Sequence, residues 1–235
     1  MEDGLVVIEG PHLLEEAIES EWRIERIFLS PEARARHSDL VFRASGELVE
    51  LSSKAFSAAA STETTQEVMA LARPKAWRWN DVTGDLPLVL ILDGIQDPGN
   101  AGTLIRSAEA FGATGAVLME GSVRVANGKF LRATAGSIFR LPFLEGLTAA
   151  ELVERAQTSQ IPLYALTANG GTNLLDADFR KPTALVVGSE GHGISDKLLP
   201  RCTTISIRTD KVESLNAAVA ASIALHQAYL QRRSL

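Results

Sequence analysis

The chain has 235 residues, 46% of them hydrophobic and 22% charged, enough for one large domain or for a small one followed by a medium one, each with its own core. A single cysteine, Cys202, excludes an internal disulfide and a thiolate zinc cluster, and the four scattered histidines show no metal-ligand spacing, so no metal is expected. The net charge of −6 argues against a general electrostatic nucleic-acid binder, and no apolar run or leader suits a membrane or secretion, which makes a cytoplasmic protein the expectation.

Residues 1–76 alternate short strands (5–8, 24–29, 47–51, 68–71) with helical patterns (11–20, 31–36, 52–60), which predicts a small α/β domain. Pro11 suits the first turn of its helix, and Leu13, Leu14, Ala17 and Ile18 give that helix an apolar stripe. Residues 61–66 read as a polar loop. The stretch 73–87, with Trp77 and Trp79, reads as a domain connection whose linker is 77–87.

From residue 88 the rhythm resumes, with strands expected at 88–92, 116–119, 163–166, 184–187 and 204–207, and helices at 100–111, 129–138, 149–159 and 214–230. The near-continuous apolar strands LVLIL and ALVV predict a mostly parallel sheet covered on both faces, so that 88–235 forms a second α/β domain. The last helix is apolar all round from Ala217 to Leu225. Such a helix is covered on every side, either by its own domain alone or by a second subunit as well.

Three loops stand out in this second domain. DGIQDPGN follows the first strand and opens a helix. Asn100 there is a candidate N-cap, and Gly99 and Gly102 keep the backbone bare. A turn at the carboxyl end of a strand is where open α/β sheets bind ligands. GSEGHGIS follows the strand at 184–187; it is neither a Walker loop nor a dinucleotide fingerprint, but Gly188, Gly191 and Gly193 let backbone amides approach a ligand. IRTDKVESLNA precedes the apolar helix, with Ser214 as a candidate N-cap and Asn216 as a polar side chain that capping by Ser214 leaves unexplained. Arg124, Lys129, Arg132 and Arg140 form the densest basic segment and are candidate phosphate contacts.

Together DGIQDPGNAGTLIRSAEAFGA, VVGSEGHGIS and IRTDKVESLNAAVAASIAL resemble, in order and spacing, the three signature motifs of the SpoU (TrmH) family of RNA methyltransferases in the SPOUT superfamily. The first domain, through VVIEGPHLLEEAIES and Thr64-Thr65-Gln66, is similar to that family's substrate-binding module, itself like a small ribosomal protein. Glu67 stands where the family commonly has Gly, and the chain starts at the IEG segment without the basic leader many relatives carry.

The resemblance implies methyl transfer from S-adenosylmethionine to a ribose 2′-hydroxyl of structured RNA, with ribosomal RNA favoured over transfer RNA. It also implies a deep C-terminal trefoil knot and a homodimer formed through the catalytic domain. Arg106, Asn100, Glu190, Ser214 and Asn216 match the catalytic positions. Leu166, Thr167, Gly188, Glu190, Gly191, Ile207, Leu215 and Asn216 match the surroundings of the cofactor. His192 is read as facing solvent. A guanidinium stays protonated, so Arg106 is expected to bind the adjoining phosphate and donate toward the ribose oxygen rather than act as a base. Two rivals remain: a catalytically silent RNA-binding protein that keeps the fold, and a Rossmann-type nucleotide enzyme.

Overall fold

In a computed structural model, residues 4–60 and 66–233 are described, so Thr64 and Thr65 of the expected RNA-contacting loop lie outside the described residues. The chain begins β1 (Val6–Glu9), α1 (Pro11–Glu19), β2 (Arg23–Leu29), α2 (Pro31–Arg36), α3 (Ser38–Arg43), β3 (Glu47–Glu50), α4 (Ser53–Ala59) and β4 (Val68–Arg73). It continues through α5 (Trp79–Thr83), β5 (Leu88–Asp93), α6 (Pro98–Ala110), β6 (Gly115–Met119), α7 (Gly128–Ala133) and α8 (Ser137–Arg140). It ends with β7 (Phe143–Leu147), α9 (Ala149–Thr158), β8 (Leu163–Thr167), β9 (Thr172–Asn173), β10 (Thr183–Gly188), β11 (Thr203–Ser206) and α10 (Ala217–Arg232).

Two compact units result: Met1–Ala76 with Val125–Arg140, and Trp77–Arg124 with Leu141–Leu235. The first holds a four-stranded sheet in the order β1-β4-β2-β3, in which only β2 and β3 pair in parallel. Ile8, Leu14, Ile27, Leu29 and Phe56 are fully buried in this unit. The segment α7–α8 joins it from the middle of the chain. Arg132 ion-pairs with Glu9 at 3.3 Å, Arg140 pairs with Glu16, and Phe139 meets Trp22 edge-on at 4.7 Å.

The single helix expected over 129–138 is broken here, because Ala135 and Gly136 both take positive φ, 46° and 92°. At φ 92° Gly136 holds a backbone conformation that L side chains rarely adopt, so the break favours glycine at that point. The basic segment is also largely spent within the protein: Arg132 and Arg140 serve the pairs just described, and Arg124 pairs with Glu145 at 3.3 Å.

The second unit is a seven-stranded sheet, β7-β6-β5-β10-β8-β11-β9, in which every pairing is parallel. The expected apolar strands are its centre: all residues of β5 and β10 are buried, in agreement with helices covering both faces. β7 was missed in the sequence because Glu145 and Gly146 interrupt its apolar run. The putting-together of β5 and β10 creates a switch point, since β6 and β7 extend the sheet one way and β8, β11 and β9 the other. At the far end of α10, the Arg232 guanidinium donates to the carbonyls of Phe179, Leu86, Pro87 and Lys181 at 2.7–2.9 Å, which fastens the C-terminal helix to the strand starts. No helix among the described residues is long and apolar enough to cross a membrane.

Candidate active site

The loops after β5, β10 and β11 all emerge at the carboxyl ends of parallel strands, so the three informative stretches of sequence meet on one edge of the sheet. A cleft of about 610 Å³ opens there. It is lined by Leu166 and Thr167 from β8, Val187 and Gly188 from β10, and Ile207 beyond β11. Ser214, Leu215, Asn216, Ala217 and Ala220 line it around the start of α10, and Ser189, Glu190, His192, Gly193, Ile194, Asp196 and Leu199 along the glycine loop.

That loop has a fixed shape. Ser189 and Gly193 exchange backbone hydrogen bonds of 3.1 and 2.8 Å, and a Cβ on Gly188 would lie 2.1 Å from the Gly193 carbonyl carbon. Asp93, the buried last residue of β5 and the register partner of Gly188, accepts the Ser195 N–H at 2.7 Å and ties down the loop's far end. Cys202 lies close enough to feel the Asp93 charge, but burial is the larger cause that pushes its thiol up to about 11, so it is not a nucleophile at neutral pH.

Capping works differently from expectation. Asp97, not Asn100, caps α6: its carboxylate accepts the Asn100 N–H at 2.7 Å, and Pro98 occupies the first helical position. The Asn100 side chain is thereby released, and its Nδ2 donates to Glu190 Oε1 at 3.2 Å. Likewise Asn216, not Ser214, caps α10, with Oδ1 accepting from Ala218 and Val219. Because Oδ1 is committed to the helix, Nδ2 is left to donate to Asn100 Oδ1 at 3.2 Å and, by a short bond, to Glu190 Oε1. Capping therefore explains Asn216 after all, and its other half builds the site.

Glu190, Asn100 and Asn216 thus form a closed hydrogen-bonded triangle on the rim of the cleft. Asn216–Asn100, the 2.7 Å bond between Ser107 and Ser222, and Phe111 against His226 at 5.1 Å show that α6 and α10 run side by side in the same direction. Both helices point their N-termini at the Glu190 carboxylate, where their dipoles favour a negative charge.

Most of the expected residues therefore meet: Leu166, Thr167, Gly188, Glu190, Ile207, Ser214, Leu215 and Asn216 line the cleft, and Asn100 is bonded to two of them. Gly191 and Arg106 do not line it. Arg106 is exposed on α6 and makes no hydrogen bond or ion pair among the described residues. His192 is exposed, as expected, yet it also lines the cleft. Asp196 was missed; an acidic residue just beyond GSEGHGIS was the only signal for it. Glu190 and Asp196 give the lining two carboxylates, and no Lys or Arg is among the lining residues.

A parallel α/β sheet with its cleft at the carboxyl ends of β8, β10 and β11 and three loops of this composition defines a class, and comparison with known proteins agrees. The family model described as SpoU rRNA Methylase family matches residues 87–226, and the chain belongs to that family. A model described as MRM3-like substrate binding domain matches residues 1–70. The chain is 34% identical over 223 residues, 94% of its length and 86% of the relative's, to the 23S rRNA (guanosine(2553)-2′-O)-methyltransferase RlmP of Bacillus subtilis. The crystal structure of the SpoU methyltransferase AviRb from Streptomyces viridochromogenes, in complex with the cofactor AdoMet, matches with a TM-score of 0.91 at 26% identity, covering 99% of this chain and 92% of that one. A putative RNA methyltransferase of the TrmH family from Porphyromonas gingivalis matches with a TM-score of 0.82 at 27% identity, covering 100% of this chain and 92% of that one.

Proposed function

We propose that this protein is a cytoplasmic, homodimeric RNA (ribose-2′-O-)-methyltransferase that uses S-adenosylmethionine and acts on ribosomal RNA. The observation that carries the reading is the cleft at the ends of β8, β10 and β11, lined by two carboxylates and by no cationic Lys or Arg. Such a lining suits a ligand with an apolar purine and a net positive sulfonium end. It disfavours a polyphosphate nucleotide, which argues against the Rossmann-type rival.

Leu166, Ile207 and Leu215 supply apolar walls for the adenine, and the loop from Gly188 offers bare backbone to polar edges. S-adenosylmethionine, when bound, supplies a methyl group on a sulfonium sulfur. The chain's task is then mainly to place a ribose oxygen in line with it. The Asn100–Glu190–Asn216 triangle fixes the rim against which that ribose rests. Arg106 binds the adjoining RNA phosphate and donates toward the ribose oxygen, which eases loss of the hydroxyl proton to phosphate or water.

Arg106 is exposed on α6 and is not among the residues that line the cleft of its own chain. On the neighbouring α10, Val219, Ile223 and Leu230 are 49%, 41% and 48% exposed and recur at helical spacing. An apolar stripe of this kind suits a second copy of the chain. In such a dimer Arg106, exposed on the adjacent α6, serves the partner's cleft. The trefoil knot belongs to the same proposal.

Calorimetric titration with S-adenosylhomocysteine tests the reading. Saturable binding by the native protein, much weakened by Leu215→Arg, is expected, together with methyl transfer to ribosomal RNA that Arg106→Lys largely abolishes. Absence of ligand binding both with and without RNA overturns it.

A further inference from the structure

Among the described residues, the large hydrophobic side chain most open to water is Phe42, 92% exposed on α3. It borders a groove of about 480 Å³ formed with Pro31, Arg34, Ala35, Ser38 and Val41. This volume is within the range of small-molecule sites. Arg34, Arg36 and Arg43 all fall within α2 and α3, against Glu32 and Asp39 on the same two helices.

Two of these guanidiniums are held by carboxylates. Glu50 takes one nitrogen of Arg34, while Glu15 and Glu19 take two of Arg43, at 3.3 and 3.1 Å. The remaining N–H groups of Arg34 make no hydrogen bond among the described residues. Arg36 reaches the Glu32 carbonyl at 3.4 Å and feels the Glu67 carboxylate, without a hydrogen bond or close ion pair to it among the described residues.

An open aromatic face beside a pre-oriented arginine fork matches the two demands of a single-stranded nucleotide: a surface for base stacking and donors for a phosphate. A docking patch for an apolar protein segment would have no use for the fork. We propose that this groove takes one unpaired nucleotide of the RNA substrate, its base stacked on Phe42 and its phosphate met by the N–H groups of Arg34 that Glu50 leaves open, with Arg36 serving the adjoining backbone. The identity of the polymer rests on the methyltransferase reading above; the groove itself belongs to the other unit.

The test is fluorescence anisotropy of the full chain with a labelled single-stranded RNA of mixed sequence, about 15 nucleotides long. Phe42→Ala and Phe42→Leu are each expected to weaken binding about tenfold, and Phe42→Trp to keep or tighten it, because stacking needs a ring and not merely an apolar side chain. Phe42 is exposed, so melting temperature should be unchanged in all three. No binding by the native chain, or Phe42→Ala within twofold of native, overturns the inference. Native-like binding by Phe42→Leu overturns it too, in favour of an apolar contact with a protein or a second copy. S-adenosylhomocysteine titration separates the two readings: its failure with the stacking pattern intact removes the methyltransferase and leaves this site standing.

Discussion

Asp97 and Asn100 show how one short run of turn residues divides its work. Both types favour the N-cap position, so composition alone cannot choose between them. Pro98 can: proline prefers the first helical position, which makes the residue before it the cap. That signal is present in the sequence. Replacing Asp97 with Ala should cost about 1 kcal/mol in urea unfolding, as loss of a cap does. Asn100→Ala should leave unfolding within about 0.5 kcal/mol of native but lower methyl transfer sharply. The reverse pattern would make Asn100 structural and the triangle incidental.

Glu67 is a second residue whose place was recognised but not understood. It stands at φ 55°, a backbone region that favours glycine, which accounts for the glycine common at this position in the family. What Glu brings is a carboxylate that accepts the Ser30 hydroxyl at 2.5 Å, at the N-cap of α2. Hydrogen bonds, first from Ser30 and then from Ser53, hold it below the ordinary value of 4.5. A lowered folded-state value means the stabilisation is complete above pH 4.5 and is lost as pH falls through the folded value. Glu67→Gln should therefore be less stable than native at neutral pH, with the gap closing in acid. A gap that persists in strong acid would assign the effect to shape rather than charge.

At the scale of elements, the sheet was readable because parallel strands buried on both faces leave runs such as LVLIL, which no surface element can afford. Elements held by local geometry were not: α3 lacks a helical stripe, and the α7–α8 break rests on positive φ at two successive residues, one of them Ala135, which no local pattern announces. The cleft was found for a related reason, since tight loops need glycine. The glycines of GSEGHGIS are not equivalent, however. Gly188 has no room for a methyl group, whereas a Cβ on Gly191 meets nothing within 4 Å. Gly188→Ala should abolish S-adenosylhomocysteine binding and Gly191→Ala should leave it within about threefold, a difference of less than 1 kcal/mol. Equal loss in both would mean that ligand, not loop shape, excludes the side chain.

At the scale of the whole molecule, the apolar face of the last helix was readable but its partner was not, because periodicity reports burial without saying by what. If Arg106 serves the second subunit, two dead proteins can repair one another. Arg106→Ala retains its cleft, and Leu215→Arg retains its arginine, so co-expression of the two should restore methyl transfer that neither shows alone. Arg106 acting within its own chain predicts no recovery.

Because Val125–Arg140 belongs with the N-terminal unit, the chain passes between units at three points rather than one. Phe130, Leu131, Ile138 and Phe139 are buried there although the catalytic unit's own sequence surrounds them on both sides. A single recombination event near residue 77 would therefore pair a foreign N-terminal domain with a helical insert shaped for another. A chain joined to a foreign first domain near residue 77 should keep the parallel sheet but leave Phe130, Leu131, Ile138 and Phe139 without the core they now share, which a lowered melting temperature of the chimera would report.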